Sequence, residues 1–205
     1  MDELASKILE LKKRPIKKAI DRRLLEFLSL GKLGNEEWFC ELCFCILTAN
    51  SRAKTAIKIQ QKIGKGFLDF EMSQIADIIR NEGHRFHNTK ARFIVEARKF
   101  SKIKDIILEK ENKREWLVGN VKGIGIKEAS HFLRNVGFFD YAIVDRHIVN
   151  LLYENGLCKN PYKKFRKKDY LKIEKILLDI SKKVSMTLGE LDLYLWYMKT
   201  GSVLK

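Results

Sequence analysis

The sequence has no run in which apolar and polar residues alternate for long enough to make a convincing strand. That removes sheet-based architectures and leaves helices to bury the core. It also has no apolar run near the ~20 residues that a membrane-spanning helix needs. The start, Met1-Asp2-Glu3-Leu4, lacks the basic-then-apolar layout of a secretory signal. There is no repeat at a fixed period and no low-complexity tract. Proline is scarce, at two residues. Cysteine is too sparse for a metal framework: Cys40, Cys43 and Cys45 lie in one apolar helical stretch, and Cys158 stands apart. Cys40 and Cys43 share a helix face and Cys45 points elsewhere. No second Cys or His pair completes a four-ligand zinc site. The expectation is a soluble intracellular chain with free thiols in a reducing compartment.

What is abundant is positive charge. Lysine and arginine total 41 against 26 acidic residues, a formal net charge of +15. Dense patches occur at Lys12–Arg14, Lys17–Arg23 and Lys163–Lys168. Such a balance attracts polyanions; the bland alternative is the lysine-rich, solvated surface of a thermophile. A hydrophobic content of 45% excludes disorder as the main state. The 205 residues suffice for one sizeable core or two small helical lobes sharing a cleft.

Helical periodicity runs almost throughout. Residues 3–11 and 19–30 read as amphipathic helices separated by Pro15, and Gly31 to Gly34 reads as a break. Asn35 is placed at an N-cap of a helix running to Thr48. That helix is apolar almost all round and should be central in its lobe. Further helices are expected over 53–63, 73–80, 90–100, 103–110 in part, 112–118, 126–136, from Asp145 through Leu152, 170–184, and from a Thr187 cap onward. The segment 81–89 reads as a loop rich in outward-reaching side chains, and 154–168 as a basic connector.

One stretch organises the rest: Val121-Lys-Gly-Ile-Gly-Ile-Lys127-Glu-Ala. A Gly-x-Gly turn entering a helix presents bare N–H groups at a helix N-terminus, a seat for phosphate. Lys127 falls in the first helical turn, where the positive end of the helix dipole and partial burial disfavour an ammonium and favour a nucleophilic amine. Asp145 heads the next helix after a connector. It could activate the amine or stabilise positive charge developing on a sugar. Taken singly, Lys127 also reads as a surface lysine, and Asp145 as an ordinary N-cap. Their joint appearance behind Gly-x-Gly carries the chemical reading.

Lys122-Gly-Ile-Gly-Ile-Lys127-Glu-Ala followed by Val144-Asp145-Arg146-His147-Ile148 resembles the helix-hairpin-helix/Gly-Pro-Asp superfamily of DNA glycosylases, over roughly residues 35–150. Val144 replaces the proline of the superfamily's name. Only Cys158 follows the aspartate, which excludes the branch with an iron–sulfur cluster. The tail Leu193-Tyr-Leu-Trp196-Tyr-Met-Lys-Thr-Gly-Ser-Val-Leu-Lys205 is most similar to the archaeal type-2 8-oxoguanine DNA glycosylase/AP lyases.

The resemblance implies an all-α fold of two helical lobes flanking a basic DNA-binding cleft. Residues 35–136 would form a six-helix-type lobe ending in the hairpin, and 1–34 with 137–205 the second lobe. It implies a bifunctional enzyme: the damaged base is flipped out, Lys127 attacks C1′ and forms a Schiff base, and β-elimination cuts the strand 3′ to the lesion, with Asp145 assisting. Gly123 and Gly125 would bind the DNA backbone. Trp196 would stack on the base and the carboxylate of Lys205 would accept its N7–H. Asn50 would fill the vacated gap and Phe86 would wedge the duplex. The plain alternatives are core packing for Trp196, a frayed end for Lys205, a helix cap for Asn50 and a lobe contact for Phe86. No cofactor or metal is expected, apart from a monovalent cation that hairpin carbonyls could hold. The expected partner is double-stranded DNA containing oxidised guanine, with no membrane, for a monomer of the prokaryotic cytoplasm associated with the nucleoid. Two competing readings are a same-fold glycosylase for another lesion, and a helix-hairpin-helix module that binds DNA without chemistry.

Overall fold

The computed structural model describes residues 1–159 and 165–205. Lys163 and Lys164 of the last basic patch lie outside the described residues. No strand occurs among the described residues, and the fold is all-α. No helix among them is long and apolar enough to cross a membrane. The backbone divides into two compact units: Met1–Leu28 with Gly137–Lys205, and Ser29–Val136.

In the unit Ser29–Val136, the helices after α1 (Asp2–Lys12) and α2 (Ile16–Lys32) are α3 (Asn35–Thr48), α4 (Ala53–Ile63), α5 (Met72–Asn81), α6 (His87–Ala97), α7 (Ile103–Leu108), α8 (Lys113–Asn120) and α9 (Ile126–Asn135). The central helix is α3, which packs on α4, α6, α7 and α9. Every residue from Trp38 to Thr48 except Cys40 is buried. Each large apolar side chain buried in this way contributes about 1.5–3 kcal/mol. Trp38 meets Phe132 of α9 edge-on, with ring centroids 5.9 Å apart. The one buried charge of this helix, Glu41, is 2% exposed. Its carboxylate accepts hydrogen bonds from Asn135 Nδ2 at 2.6 Å and Gln60 Nε2 at 3.1 Å, which offset the cost of burying an ion. The cysteines are free thiols. Burial pushes the Cys43 thiol well above its ordinary range and that of Cys40 up to about 11.

Several elements depart from the sequence reading: α2 begins at Ile16, three residues earlier than read, and α6 at His87, inside the stretch 81–89 read as a loop. Gly31 lies inside α2, which continues to Lys32, so the break is confined to Leu33 and Gly34. Asn35 does not cap its own helix. Gly34 takes that position, and the Asn35 side chain accepts from Lys104 N at 2.8 Å, capping α7 instead. Helix periodicity could not show this, because the bond joins residues 69 apart.

The other unit contains α1, the first part of α2, α10 (Arg146–Glu154), α11 (Lys167–Lys183) and α12 (Leu188–Thr200). Here α12 packs on α1, α10 and α11. Thr187 Oγ1 accepts Glu190 N at 3.1 Å and starts α12. Gly137, at φ +95°, closes α9 in the left-handed conformation.

Candidate active site

The hairpin comprises α8, the turn Val121–Gly125 and α9. Val121 and Ile124 point inward and are 3% and 5% exposed, which pins the turn. Gly123 has φ +84°, and a Cβ there would lie 2.6 Å from Cδ2 of Phe93. Glycine is therefore required twice, by conformation and by the ring against it. Gly125 is extended and serves as the N-cap of α9. Its N–H donates to Glu128 Oε2 at 3.2 Å. Of the two glycine N–H groups expected to hold a phosphate, the one on Gly125 is thus engaged by a carboxylate from within the chain. The capping box explains it: with glutamate at the third helical position, its side chain reaches back to the N-cap.

Lys127 is half-buried in the first turn of α9, and its Nζ lies 3.3 Å from Glu128 Oε1. A second lysine, with no local motif to mark it, stands in this neighbourhood. Lys90 on α6 is 4% exposed and donates to the Ile46 carbonyl at 2.6 Å. Burial first, and repulsion by Lys127 next among the lowering effects, push its ammonium down to about 8, while Glu128 opposes the shift.

Lys90 also solves a problem at the C-terminus of α3, which carries no basic residue in its last turn. The last four carbonyls of a helix lack intrahelical partners. Here Thr48 Oγ1 donates to Cys45 O, Lys90 Nζ to Ile46 O, His84 Nε2 to Leu47 O and Ser51 N to Thr48 O. His84 Nδ1 accepts Phe86 N at 3.1 Å. With one ring nitrogen donating and the other accepting, the imidazole is neutral, and burial lowers its pKa in the same sense.

These bonds tie the segment 84–90 to the end of α3, where two expected site residues sit. Asn50 is exposed at φ +61°, a conformation asparagine tolerates better than most residues. It lies two residues past the helix end and caps no helix that follows; Arg52 is the N-cap of α4. Phe86 is half-buried, with the Arg85 guanidinium 4.4 Å from its ring centroid.

The other unit carries the remaining candidates. Asp145 is the N-cap of α10, and its Oδ1 accepts His147 N at 2.8 Å and Ile148 N at 2.9 Å. The loop before it is clamped from α11. Tyr170 Oη donates to Ala142 O at 2.6 Å and accepts Val144 N at 3.2 Å, while Glu174 accepts Ala142 N. Val144 thus uses an N–H that a proline in its place would lack. Tyr170 and Glu174 fix the approach to Asp145, yet in sequence they are two residues of an amphipathic helix with no local sign of that task.

Trp196 on α12 is half-buried, not core, and lies edge-on to His147 with centroids 5.1 Å apart. Its indole Nε1 is buried with no hydrogen bond among the described residues. Beyond it Gly201, at φ +69°, donates to Tyr197 O and ends α12. Ser202 N then donates to Thr200 Oγ1, and Ser202 through Lys205 are half-buried rather than frayed. Lys199 Nζ lies 2.6 Å from both carboxylate oxygens of Glu154.

Lys127 lies in the unit Ser29–Val136 and Asp145 in the other. A sequence model of the 8-oxoguanine DNA glycosylase family matches residues 20–186. The chain belongs to that family. An 8-oxoguanine DNA glycosylase/AP lyase of Methanocaldococcus jannaschii is 53% identical over 98% of this chain and 99% of its own length. The relative of that name from Thermotoga maritima is 44% identical over 99% of both. Among solved structures, the Methanocaldococcus jannaschii glycosylase/lyase in complex with a 15mer DNA containing 8-oxoguanine superposes with a TM-score of 0.96 at 52% identity, covering 99% of this chain and 100% of that one. The Thermotoga maritima 8-oxoguanine DNA glycosylase gives 0.92 at 42% identity, covering 100% and 99%. Endonuclease III, at 18% identity and 0.56, shares the fold.

Proposed function

We propose that this chain excises 8-oxoguanine from duplex DNA and cleaves the strand at the resulting abasic site. The observation that carries the reading is a half-buried lysine delivered by a Gly-x-Gly hairpin, in a chain similar along its whole length to a glycosylase/lyase solved on DNA containing 8-oxoguanine. The neutral amine of Lys127 attacks C1′ as the glycosidic bond breaks, and the base leaves with the bonding pair. Loss of a proton from nitrogen and opening of the sugar ring give the Schiff base. This withdraws electrons, so the C2′ proton is lost and the 3′ C–O bond breaks. Asp145 stabilises the positive charge that develops on the sugar. Its Oδ1 is held by two backbone N–H groups, which aims the carboxylate before substrate arrives, and Oδ2 is left to face that charge.

Trp196 supplies the flat face for the flipped base and the Lys205 carboxylate the acceptor for N7–H; a half-buried tail and a half-buried ring support this. Asn50 fills the gap, supported by its exposed position at the end of α3, and Phe86 wedges the duplex. The remaining hairpin N–H groups hold the backbone phosphate. The hairpin carbonyls would hold a monovalent cation; that of Val121 already accepts Ile124 N at 3.3 Å and retains a second lone pair. Borohydride trapping on a duplex containing 8-oxoguanine tests the central claim. Lys127→Gln is expected to abolish the covalent adduct and strand cutting. An adduct formed as well as by wild type would sink the assignment.

A further inference from the structure

Glu128 follows the nucleophile of the proposed reaction and has so far only a capping role. The two oxygens of its carboxylate face different partners: Oε2 accepts Gly125 N–H at 3.2 Å and Oε1 lies 3.3 Å from Lys127 Nζ. Its side chain is 13% exposed against 31% for that of Lys127, so the pair is partly screened from water. A cap needs only one oxygen and no charge, and glutamine serves it equally. The second contact, to an ammonium, does require charge.

The surroundings make that charge consequential. Lys90 brings a buried ammonium whose interaction with Lys127 is repulsive and with Glu128 attractive. From the helices packed on α9, α3 contributes Glu41, engaged by Asn135 and Gln60. From α8, Arg114 donates to Ser130 Oγ and pairs with Glu115, while Lys113 donates to Lys110 O. On α9 itself, His131 stacks edge-on with Phe44 and Arg134 donates to Asn135. Lys122 of the turn pairs with Glu96 of α6. These contacts on α9 lie further along the helix than Lys127, whereas Glu128 touches both the cap and the amine.

We infer that Glu128 is a positioning residue for Lys127. It orients the side chain from the first turn of α9 through the ion pair to its ammonium, while its other oxygen stays on the cap. The inference rests on Lys127 being the nucleophile. Each oxygen of Glu128 then has its own task, Oε2 the cap and Oε1 the amine.

The experiment is single-turnover borohydride trapping on a duplex with a preformed abasic site, which takes base recognition out of the path. Glu128→Gln keeps the cap and removes the charge. Its trapping rate is expected to fall by roughly threefold or more, as loss of a partly screened ion pair implies, while the melting temperature and the affinity for DNA stay at wild-type values because the cap persists. Glu128→Ala should slow trapping to the same extent and also lower the melting temperature. A Glu128→Gln rate equal to wild type would reduce the residue to a cap and overturn the inference. A loss of DNA affinity that accounts for the slower trapping would place the effect in binding and overturn it as well. Continued trapping by Lys127→Gln would instead remove the nucleophile on which the inference stands, so the two failures are distinguishable.

Discussion

Lys90 offers a quantitative test of the electrostatics beneath the hairpin. Its ammonium is pushed down to about 8 in the folded chain from an ordinary 10.5. Between these values the folded state carries a neutral amine and the unfolded state an ammonium. The unfolded state then holds more protons, so stability rises with pH across this window and the burial penalty is complete below it. At 1.36 kcal/mol per unit the penalty near neutrality has an upper bound of about 3 kcal/mol, of which about 1–2 kcal/mol is recovered between pH 7 and pH 9.5. Lys90→Met keeps the stem and removes the titration. It also leaves the Ile46 carbonyl without its donor, a cost of about 1–3 kcal/mol that roughly offsets the relief at neutral pH. Denaturant unfolding of both proteins at several pH values is the assay. The difference, wild type minus variant, is expected to grow in favour of wild type by about 1–2 kcal/mol from pH 7 to pH 9.5. Parallel stability curves would refute the reasoning, since every other titrating group is common to the two proteins.

Other substitutions probe the remaining contacts. Gly123→Ala puts a side chain at φ +84° and a Cβ against Phe93; a loss of about 2 kcal/mol or more is expected on chemical denaturation, with weaker DNA binding. Asp145→Asn retains the cap, because asparagine is an equal N-cap, and should melt like wild type, whereas Asp145→Ala should lose about 1 kcal/mol. Both should slow base excision by about a hundredfold or more if the charge stabilises the sugar cation; wild-type rates in Asp145→Asn would discard that role. Deleting Lys205 is expected to lower 8-oxoguanine excision by about tenfold or more while leaving strand cutting at a preformed abasic site intact. Unchanged preference for the oxidised base would show that the tail does not read it.

The hairpin, Lys127, Asp145 and the capped helices were legible in the chain because each rests on short-range rules. A Gly-x-Gly turn, a cap residue and a 3.6-residue period involve neighbours only a few positions apart, and those rules hold wherever the segment sits. Even the family followed from two such stretches and the tail. What tertiary structure decided was which partners those residues meet. Asn35 looked like the cap of its own helix and instead caps α7. Lys90 and His84, inconspicuous in a basic loop and helix, complete the C-terminus of α3 from about forty residues away, at separations of 44 and 37. Tyr170 and Glu174 hold the loop that aims Asp145. The physical reason is the same in each case. A buried carbonyl, amide or ammonium must find a partner, and the requirement is fixed by burial while the supplier is whichever side chain folding brings within 3 Å or so. Sequence alone thus determined most of the elements, the hairpin and the place of Lys127 in it. Only the packed chain decided that the lysine is met by Glu128, and that a second buried lysine lies close by.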